Sequence, residues 1–257
     1  MNLKTAAIIQ ARTGSTRLPG KVLKKIAGKT ILEHVIERVN QAVFIDDIII
    51  ATTELEHDRP IIELAEFKGV KSFQGSENDV LERYYHAARE NSIDVVVRIT
   101  SDCPLIDPML CDKIISFYIQ NCDEYVLVTN AGLGKEGRTY PRGLDVEIFP
   151  FWVLKKASQL AKKTYQREHV TPWIYENYGK EKIYYYKNKV DYSCFRWTLD
   201  TEDDFLLIKK IYEYLYNGNH IFYFKDVLNL FQEKPELAKI NKHVEQKSIQ
   251  ESFSKAK

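Results

Sequence analysis

Apolar strand patterns and amphipathic helix patterns alternate along the first hundred residues of this 257-residue chain. Parallel strands need a crossover of a dozen or more residues between them, and each helix pattern supplies one. The strand patterns cover residues 6–10, 47–52, 70–73 and 94–100, and the helix patterns cover 31–43, 59–68 and 79–91. The alternation therefore predicts an α/β fold with a doubly wound, mostly parallel sheet of the Rossmann-like type. In such sheets ligands bind beyond the carboxyl ends of the strands.

The rest of the chain continues in a less regular order. We expect further helices at 108–120, 152–161, 168–178, 202–216 and 225–231, and further strands at 124–129, 144–149, 183–187 and 195–199. The length fits one domain over residues 1–257. A glycine-containing stretch opens an expected inserted β/α arm at 130–190, which would serve as a lid or in dimerisation. The polar residues 234–257 suggest a flexible tail.

Charge and hydropathy exclude several classes of partner. The 37 basic side chains are balanced by 36 acidic ones, so the chain has no overall field to hold nucleic acid and any anion site must be local. No apolar run approaches the roughly 20 residues that cross a bilayer, and Met1–Thr5 lacks the apolar core of a signal peptide. The sequence thus predicts a cytoplasmic protein with neither a nucleic-acid nor a membrane partner.

The segment after the first strand has the chemistry of a phosphate-binding loop. Gly14 and Ser15 allow close approach of backbone N–H groups, and Arg12, Arg17 and Lys21 supply fixed positive charge. The spacing differs from both the Walker A loop and the G-x-G-x-x-G pattern. A solvated basic turn is the alternative interpretation.

The stretch Q-A-R-T-G-S-T-R-L-P-G-K-V-L at residues 10–23 resembles the signature of the CMP-sugar synthetases of the acylneuraminate and KDO type. These nucleotidyltransferases activate acidic sugars with CTP. The likeness is greatest to the SpsF type of spore coat polysaccharide biosynthesis, and it covers about four fifths of the chain. Further matching stretches are 51–53, 79–84, 98–107, 143–149, 167–171 and 197–203. The resemblance implies a nucleotide-diphospho-sugar transferase fold of the GT-A-like type, Mg²⁺ as cofactor and a homodimer.

The resemblance also implies roles for individual residues. Catalysis would involve Arg12, Lys21, Asp102 and Asp200, of which Asp102 and Asp200 would ligate Mg²⁺. Residues expected to contact CTP are Ala11, Arg12, Gly14, Ser15, Arg17, Lys21, Ala51, Thr52, Gln74, Gly75, Ser76 and Asp79. Residues expected to contact the acidic sugar are Arg142, Asp145, Glu147, Glu168 and His169, with Arg142 as the carboxylate clamp.

Each assignment has a structural alternative. Asp102 could cap a turn, and either Asp200 or Thr201 could cap the helix that begins at Glu202. His169 could act as a base or simply pack within a helix.

The activity has alternatives as well. The leading hypothesis is transfer of CMP from CTP to an acidic sugar for surface polysaccharide or glycan assembly. A metal-dependent glycosyltransferase that uses a nucleotide sugar would usually carry a D-x-D pair, which Asp102-Cys103-Pro104 lacks. A third hypothesis is a nucleotide-binding protein without turnover. The retention of Asp102 and Asp200 argues against it.

Overall fold

The computed structural model describes residues 3–133 and 137–246. Its strands are β1 Thr5–Gln10, β2 Lys25–Ile26, β3 Lys29–Thr30, β4 Asp47–Thr53, β5 Lys71–Gly75, β6 Val95–Thr100, β7 Leu127–Thr129, β8 Glu147–Pro150 and β9 Ile183–Tyr185. Its α-helices are α1 Ile31–Val39, α2 Arg59–Phe67, α3 Val80–Glu90, α4 Pro108–Gln120, α5 Phe151–Leu160, α6 Thr164–His169, α7 Pro172–Asn177, α8 Glu202–Leu215 and α9 Phe224–Glu233. Short 3₁₀ helices occur at Lys21–Leu23, Glu56–Asp58, Lys180–Lys182 and Pro235–Lys239.

Seven of these strands form one sheet in the order β5-β4-β1-β6-β8-β7-β9. The strands β5, β4, β1 and β6 run parallel, β8 runs antiparallel to both of its neighbours, and β9 is parallel to β7. The order reverses direction between β1 and β6, which is where a doubly wound sheet opens a crevice at its carboxyl edge. The predicted mostly parallel α/β sheet is confirmed.

Helices cover both faces of the sheet, as successive residues of β1 illustrate. Ala7 and Ile9 belong to the apolar cluster with α1, α4, α8 and α9, whereas Ala6 and Ile8 belong to the cluster with α3, α5 and α7. Burial on both faces explains why the strand sequences are continuously apolar instead of alternating.

Two local predictions are wrong. The helix expected at 168–178 is divided into α6 and α7, because Val170 adopts a φ of 71° and Pro172 begins the next helix. The strand expected at 195–199 is reduced to an isolated bridge between Arg142 and Arg196.

The segment expected as an arm is part of the central sheet over much of its length. It contributes β8 and β9, and α5 packs against α3. Tyr184 of β9 stacks on Phe117 of α4, with 4.3 Å between the ring centroids. Residues 134–136 lie outside the described residues, and a role in dimerisation stays a prediction.

The described part of the expected tail packs against the body of the protein. Leu237 is buried in the core, and the Asn241 side-chain amide donates to the Arg196 carbonyl (2.9 Å) and to an Asp204 carboxylate oxygen (2.8 Å). Residues 235–246 therefore do not form the flexible tail that was expected from residue 234 onward. Residues 247–257 lie outside the described part.

Among the described helices, none has both the length and the apolar character needed to span a bilayer.

Two histidines form a buried pair beside α1. The Ile26 carbonyl lies 2.8 Å from His34 Nε2 and can only accept, so His34 Nδ1 must accept from His220 Nε2 at 2.8 Å. Burial lowers the pKa of both rings, and His34 and Arg38 contribute to lowering the pKa of His220 to about 3. Glu37, 3.3 Å from His220 Nδ1, opposes the shift without reversing it.

The histidine pair predicts a loss of stability on mild acidification. Both rings stay neutral in the folded protein, whereas in the unfolded chain they take up protons near pH 6.5. The contribution of His220 to stability is therefore complete above pH 6.5, and it is lost progressively as the pH falls from there toward 3. Between pH 7.5 and 5.5 we expect the free energy of unfolding to fall by about 1.4 kcal/mol through His220, with a further loss in the same direction through His34. Urea unfolding at both pH values measures it.

A matched pair of variants isolates this contribution. His220→Asn should flatten the pH dependence, whereas His57→Asn, at an exposed position, should retain it. An unchanged slope in His220→Asn would contradict the assignment.

Candidate active site

A cavity of about 610 Å³ opens at the carboxyl edge of the sheet, next to the reversal point between β1 and β6. This volume lies within the usual range for small-molecule sites. Predicted site residues that line it are Ala11, Arg12, Gly14, Ser15, Arg17, Lys21, Asp102, Arg142, Asp145, Glu147, Glu168, His169 and Asp200. The structure thus brings together residues almost 190 positions apart in sequence.

The loop after β1 is held by Asp58, a fully buried carboxylate. One Asp58 oxygen accepts from the backbone N–H of Thr13 (2.7 Å) and from its hydroxyl (2.6 Å), and the other accepts from the Thr53 hydroxyl. The loop then closes on itself, because Gly20, at a φ of 64°, donates its N–H to the Thr13 carbonyl at 3.0 Å. Asp58 was not predicted, since a single acidic residue in a helical turn gives no local signal.

Lys21 joins the two predicted metal-binding carboxylates. Its ammonium donates to Asp102 Oδ2, to Asp200 Oδ1 and to the Leu199 carbonyl, each at 2.8 Å. Burial alone would lower the pKa of Lys21, but Asp102 and Asp200 outweigh it and raise the pKa. Burial likewise works to raise the pKa of Asp200, and Lys21, Arg17 and Arg196 together lower it below its ordinary range. Three oxygen atoms therefore converge on one cationic point.

The helix after Asp200 is capped by its neighbour. The Thr201 hydroxyl accepts from the Asp204 N–H (3.2 Å), and Asp204 Oδ2 accepts from the N–H of Thr201 (3.1 Å). Asp200 therefore does not cap the helix. Its Oδ2 atom accepts a hydrogen bond from Arg196 at 2.7 Å and forms an ion pair with Arg17 at 3.0 Å. Asp102 accepts from the Thr100 hydroxyl at 2.5 Å.

Two arginines on the opposite wall differ in their partners. Arg138 forms a fork with both oxygens of Asp145, the longer bond being 3.1 Å. No hydrogen bond or ion pair joins the Arg142 side chain to any residue within 3–133 or 137–246, and burial is the main cause that lowers its pKa. A half-buried guanidinium facing a cavity without an acceptor is suited to an anionic ligand.

The floor of the cavity is a closed polar network. Glu147 accepts from Arg98 at 2.5 Å and from the Tyr175 hydroxyl at 3.0 Å, and Arg98 also donates to the Gln10 side chain at 3.1 Å. Both Glu147 oxygens are thus engaged, as are both Asp145 oxygens. These carboxylates hold Arg138 and Arg98 in place, and their expected contact with a sugar stays a prediction, since each oxygen can accept a second hydrogen bond.

His169 and Glu168 lie in the cavity wall at the end of α6. Burial lowers the pKa of His169, so its ring is neutral at pH 7, and its buried Nε2 has no hydrogen-bond partner among the described residues. Val170, the next residue, holds a strained positive φ of 71° that turns the chain between α6 and α7.

At the second and third parallel strands, the cavity is lined by other residues than those predicted to contact CTP. The residues predicted there to contact CTP do not line the cavity: Ala51, Thr52, Gln74, Gly75, Ser76 and Asp79. Ala51 and Thr52 are buried within β4, while Asp79 caps α3 through the Glu82 N–H (2.9 Å) and pairs with Arg167. The cavity wall on this side is formed by their neighbours Glu77, Asn78, Val80 and Arg83.

An α/β sheet that collects fixed cations and two carboxylates at one carboxyl edge is the arrangement of nucleotide-binding enzymes. Residues 6–246 match the family model described as cytidylyltransferase, and the chain belongs to that family.

Individual relatives agree with the family match. The chain is 40% identical over 253 residues to an uncharacterised protein of Methanocaldococcus jannaschii, covering 97% of this chain and 99% of the relative. It is 32% identical over 212 residues to the spore coat polysaccharide biosynthesis protein SpsF of Bacillus subtilis, covering 80% and 85%. A solved cytidylyltransferase from Leptospira borgpetersenii serovar Hardjo-bovis superposes with a TM-score of 0.85 at 36% identity, covering 92% of this chain and 97% of that one.

The contacts of Asp58 predict that Asp58→Ala will lower the free energy of unfolding by about 2 to 4 kcal/mol, since buried donors on Thr13 and Thr53 lose their acceptor. Glu56→Ala, in the same turn but 88% exposed, is the control and should change it by less than about 0.5 kcal/mol. Urea unfolding measures both; equal losses would contradict the role of Asp58.

Proposed function

We propose that this protein transfers CMP from CTP to a hydroxyl of an acidic sugar, with release of pyrophosphate, for the assembly of a surface polysaccharide. One observation carries the proposal: a single cavity contains both the Lys21 cluster with its two carboxylates and the guanidinium of Arg142, which has no partner among the described residues. The first arrangement suits a triphosphate with its metal, and the second suits a carboxylate.

The loop after β1 would bind the triphosphate. Arg12 and Arg17 bring positive charge to the cavity, and the backbone around Gly14 and Ser15 can approach phosphate oxygens closely. Arg12 pairs with Glu77 at 3.3 Å in a partly exposed contact, which is weak enough to be exchanged for a phosphate. In the reaction a sugar oxygen forms a bond to the α-phosphorus while the bond to the β-phosphate oxygen breaks. These cations would stabilise the departing pyrophosphate.

Asp102 and Asp200 would hold Mg²⁺. The fit rests on the oxygen atoms that converge on the Lys21 ammonium at 2.8 Å, since hard oxygen donors around one point are what Mg²⁺ requires. When bound, Mg²⁺ supplies charge neutralisation at the phosphate that is attacked. Lys21 would then move from the carboxylates toward the phosphates.

The acceptor sugar would occupy the wall formed by Arg142 and His169. Arg142 would bind the sugar carboxylate with two parallel hydrogen bonds, which fixes the direction of its reacting hydroxyl. Nε2 of the neutral His169 ring has no partner among the described residues, and it would accept from or donate to a sugar hydroxyl according to the tautomer. The name of the Bacillus subtilis relative supports a destination in polysaccharide synthesis. A homodimer, implied by the resemblance, stays part of the proposal.

Calorimetric titration with CTP, UTP, ATP and GTP, with and without Mg²⁺, tests the proposal without a choice of acceptor. We expect CTP to bind selectively and more tightly with Mg²⁺, followed by pyrophosphate release only when an acidic sugar is added. No triphosphate binding, or a preference for a nucleotide sugar, would remove the proposed function.

Asp102→Asn should reduce turnover by at least about 100-fold. Asp123→Asn, at an exposed position, is its control.

Arg142→Gln should raise the KM for the acidic sugar by about 10- to 100-fold and leave CTP affinity unchanged, because a charge-assisted bond to the carboxylate is lost. Steady-state pyrophosphate release at saturating CTP measures the KM, and calorimetry measures CTP affinity. Lys155→Gln, an exposed charge neutralisation on α5, is the control. An unaltered sugar KM in Arg142→Gln would contradict the clamp.

A further inference from the structure

A buried carboxylate and a guanidinium support Asp200 on the side away from the cavity. Asp204 of α8 is fully buried, and its Oδ2 atom accepts from the backbone N–H of Asp200 at 2.9 Å. The Arg196 guanidinium donates to both oxygens of Asp204, at 2.9 and 3.0 Å, and to Asp200 Oδ2 at 2.7 Å. Asp204 and Arg196 thus hold the backbone and the side chain of a carboxylate that would ligate Mg²⁺.

Three cations among the described residues contact Asp200, and Arg196 is the one placed to stay there when a nucleotide binds. Lys21 and Arg17 line the cavity, and both would turn from Asp200 toward the phosphates of CTP. Arg196 does not line the cavity, and its side chain is only 9% exposed. It would therefore keep Asp200 Oδ2 engaged and leave Oδ1, the atom that contacts Lys21, to the metal.

The C-terminal segment, residues 235–246, holds this pair in turn. The buried Asn241 amide donates to Asp204 Oδ1 at 2.8 Å and to the Arg196 carbonyl at 2.9 Å. The Gln246 side chain accepts from Arg196 Nη1 at 2.5 Å. The segment thus contacts the carboxylate, the guanidinium and the backbone that together fix the position of Asp200.

Stability alone does not account for this arrangement. Burying a carboxylate and a guanidinium is costly, and an apolar pair of similar size would stabilise the packing at least as well. Groups that hydrogen-bond to a metal ligand orient it, and their loss commonly costs about 10- to 100-fold in metal affinity. We propose that Arg196 is a positioning residue that orients Asp200 for Mg²⁺, and that Asn241 keeps it in place. The inference rests on the proposed binding of CTP with Mg²⁺.

The test is calorimetric binding of CTP, with and without Mg²⁺, to the wild-type protein and to Asn241→Ala. CTP affinity without Mg²⁺ should change by less than about threefold, whereas the gain in affinity that Mg²⁺ provides should shrink by about 10-fold or more. The Mg²⁺ concentration that gives half-maximal pyrophosphate release should rise by about 10- to 100-fold. His243→Ala is the matched control, because it removes a 3.0 Å contact between the same segment and Asp203 without touching Arg196. It should keep the wild-type Mg²⁺ dependence.

Arg196→Lys completes a double-mutant cycle. Lysine keeps the charge but lacks the planar fork that joins two carboxylates, so Mg²⁺ dependence should shift in the same direction. Adding Asn241→Ala to Arg196→Lys should shift it no further, since both changes act through one contact. All assays run below the unfolding temperature of every variant, and Asn241→Ser, with the same expected direction, replaces an Asn241→Ala protein that does not fold.

Three results would overturn the proposal: an unchanged Mg²⁺ dependence in either single variant, additive effects in the double variant, or equal losses of CTP affinity with and without Mg²⁺. The last is the result expected of general structural damage. A wild-type protein whose CTP binding does not respond to Mg²⁺ would instead overturn the proposed metal site, and the role of Arg196 with it.

Discussion

The Lys21 ammonium is the point at which three separate parts of the chain meet. It joins the loop after β1, the end of β6 through Asp102 and the segment before α8 through Asp200. Taking these charges out of water is expensive, and an apolar cluster of the same size would stabilise the fold at least as well. A geometry that places three oxygen atoms 2.8 Å from one cation is therefore better explained by what the site binds than by stability.

The arginines of the cavity separate into two groups by the acceptors available to them. Four of them have carboxylate partners within the protein: Arg12, Arg17, Arg98 and Arg138. Arg142 and Arg83 have none among the described residues, so both present guanidinium donors to the cavity that a bound ligand would satisfy.

The sequence allowed the sheet and the cationic loop to be predicted because both depend on short-range patterns. Apolar runs such as 47–52 are strands in any context that buries both faces, and Gly14 with its neighbouring cations forms a compact chemical signal. Asp102 and Asp200 were predicted through the resemblance, since their meeting depends on a contact across 98 positions. Asp79, which was predicted to contact CTP, caps α3, whereas Arg83, one turn later, lines the cavity. Helical capping and cavity lining draw on the same residue types, so local sequence cannot separate them.

The distance between the acceptor side and the phosphate side of the cavity is set by backbone contacts. Arg142 donates its N–H to the Phe195 carbonyl at 3.1 Å and accepts from Trp197 at 2.7 Å, so its position is tied to the segment that ends in Asp200. Gly143 makes this approach possible: its φ is 103°, and a Cβ atom there would lie 2.5 Å from the Trp197 carbonyl carbon. Because these bonds are between backbone groups, they hold the backbone of Arg142 at a fixed place beside the segment that leads to Asp200. In-line transfer needs that constancy, since an error of about 1 Å in the approach of the reacting oxygen costs on the order of 100-fold in rate.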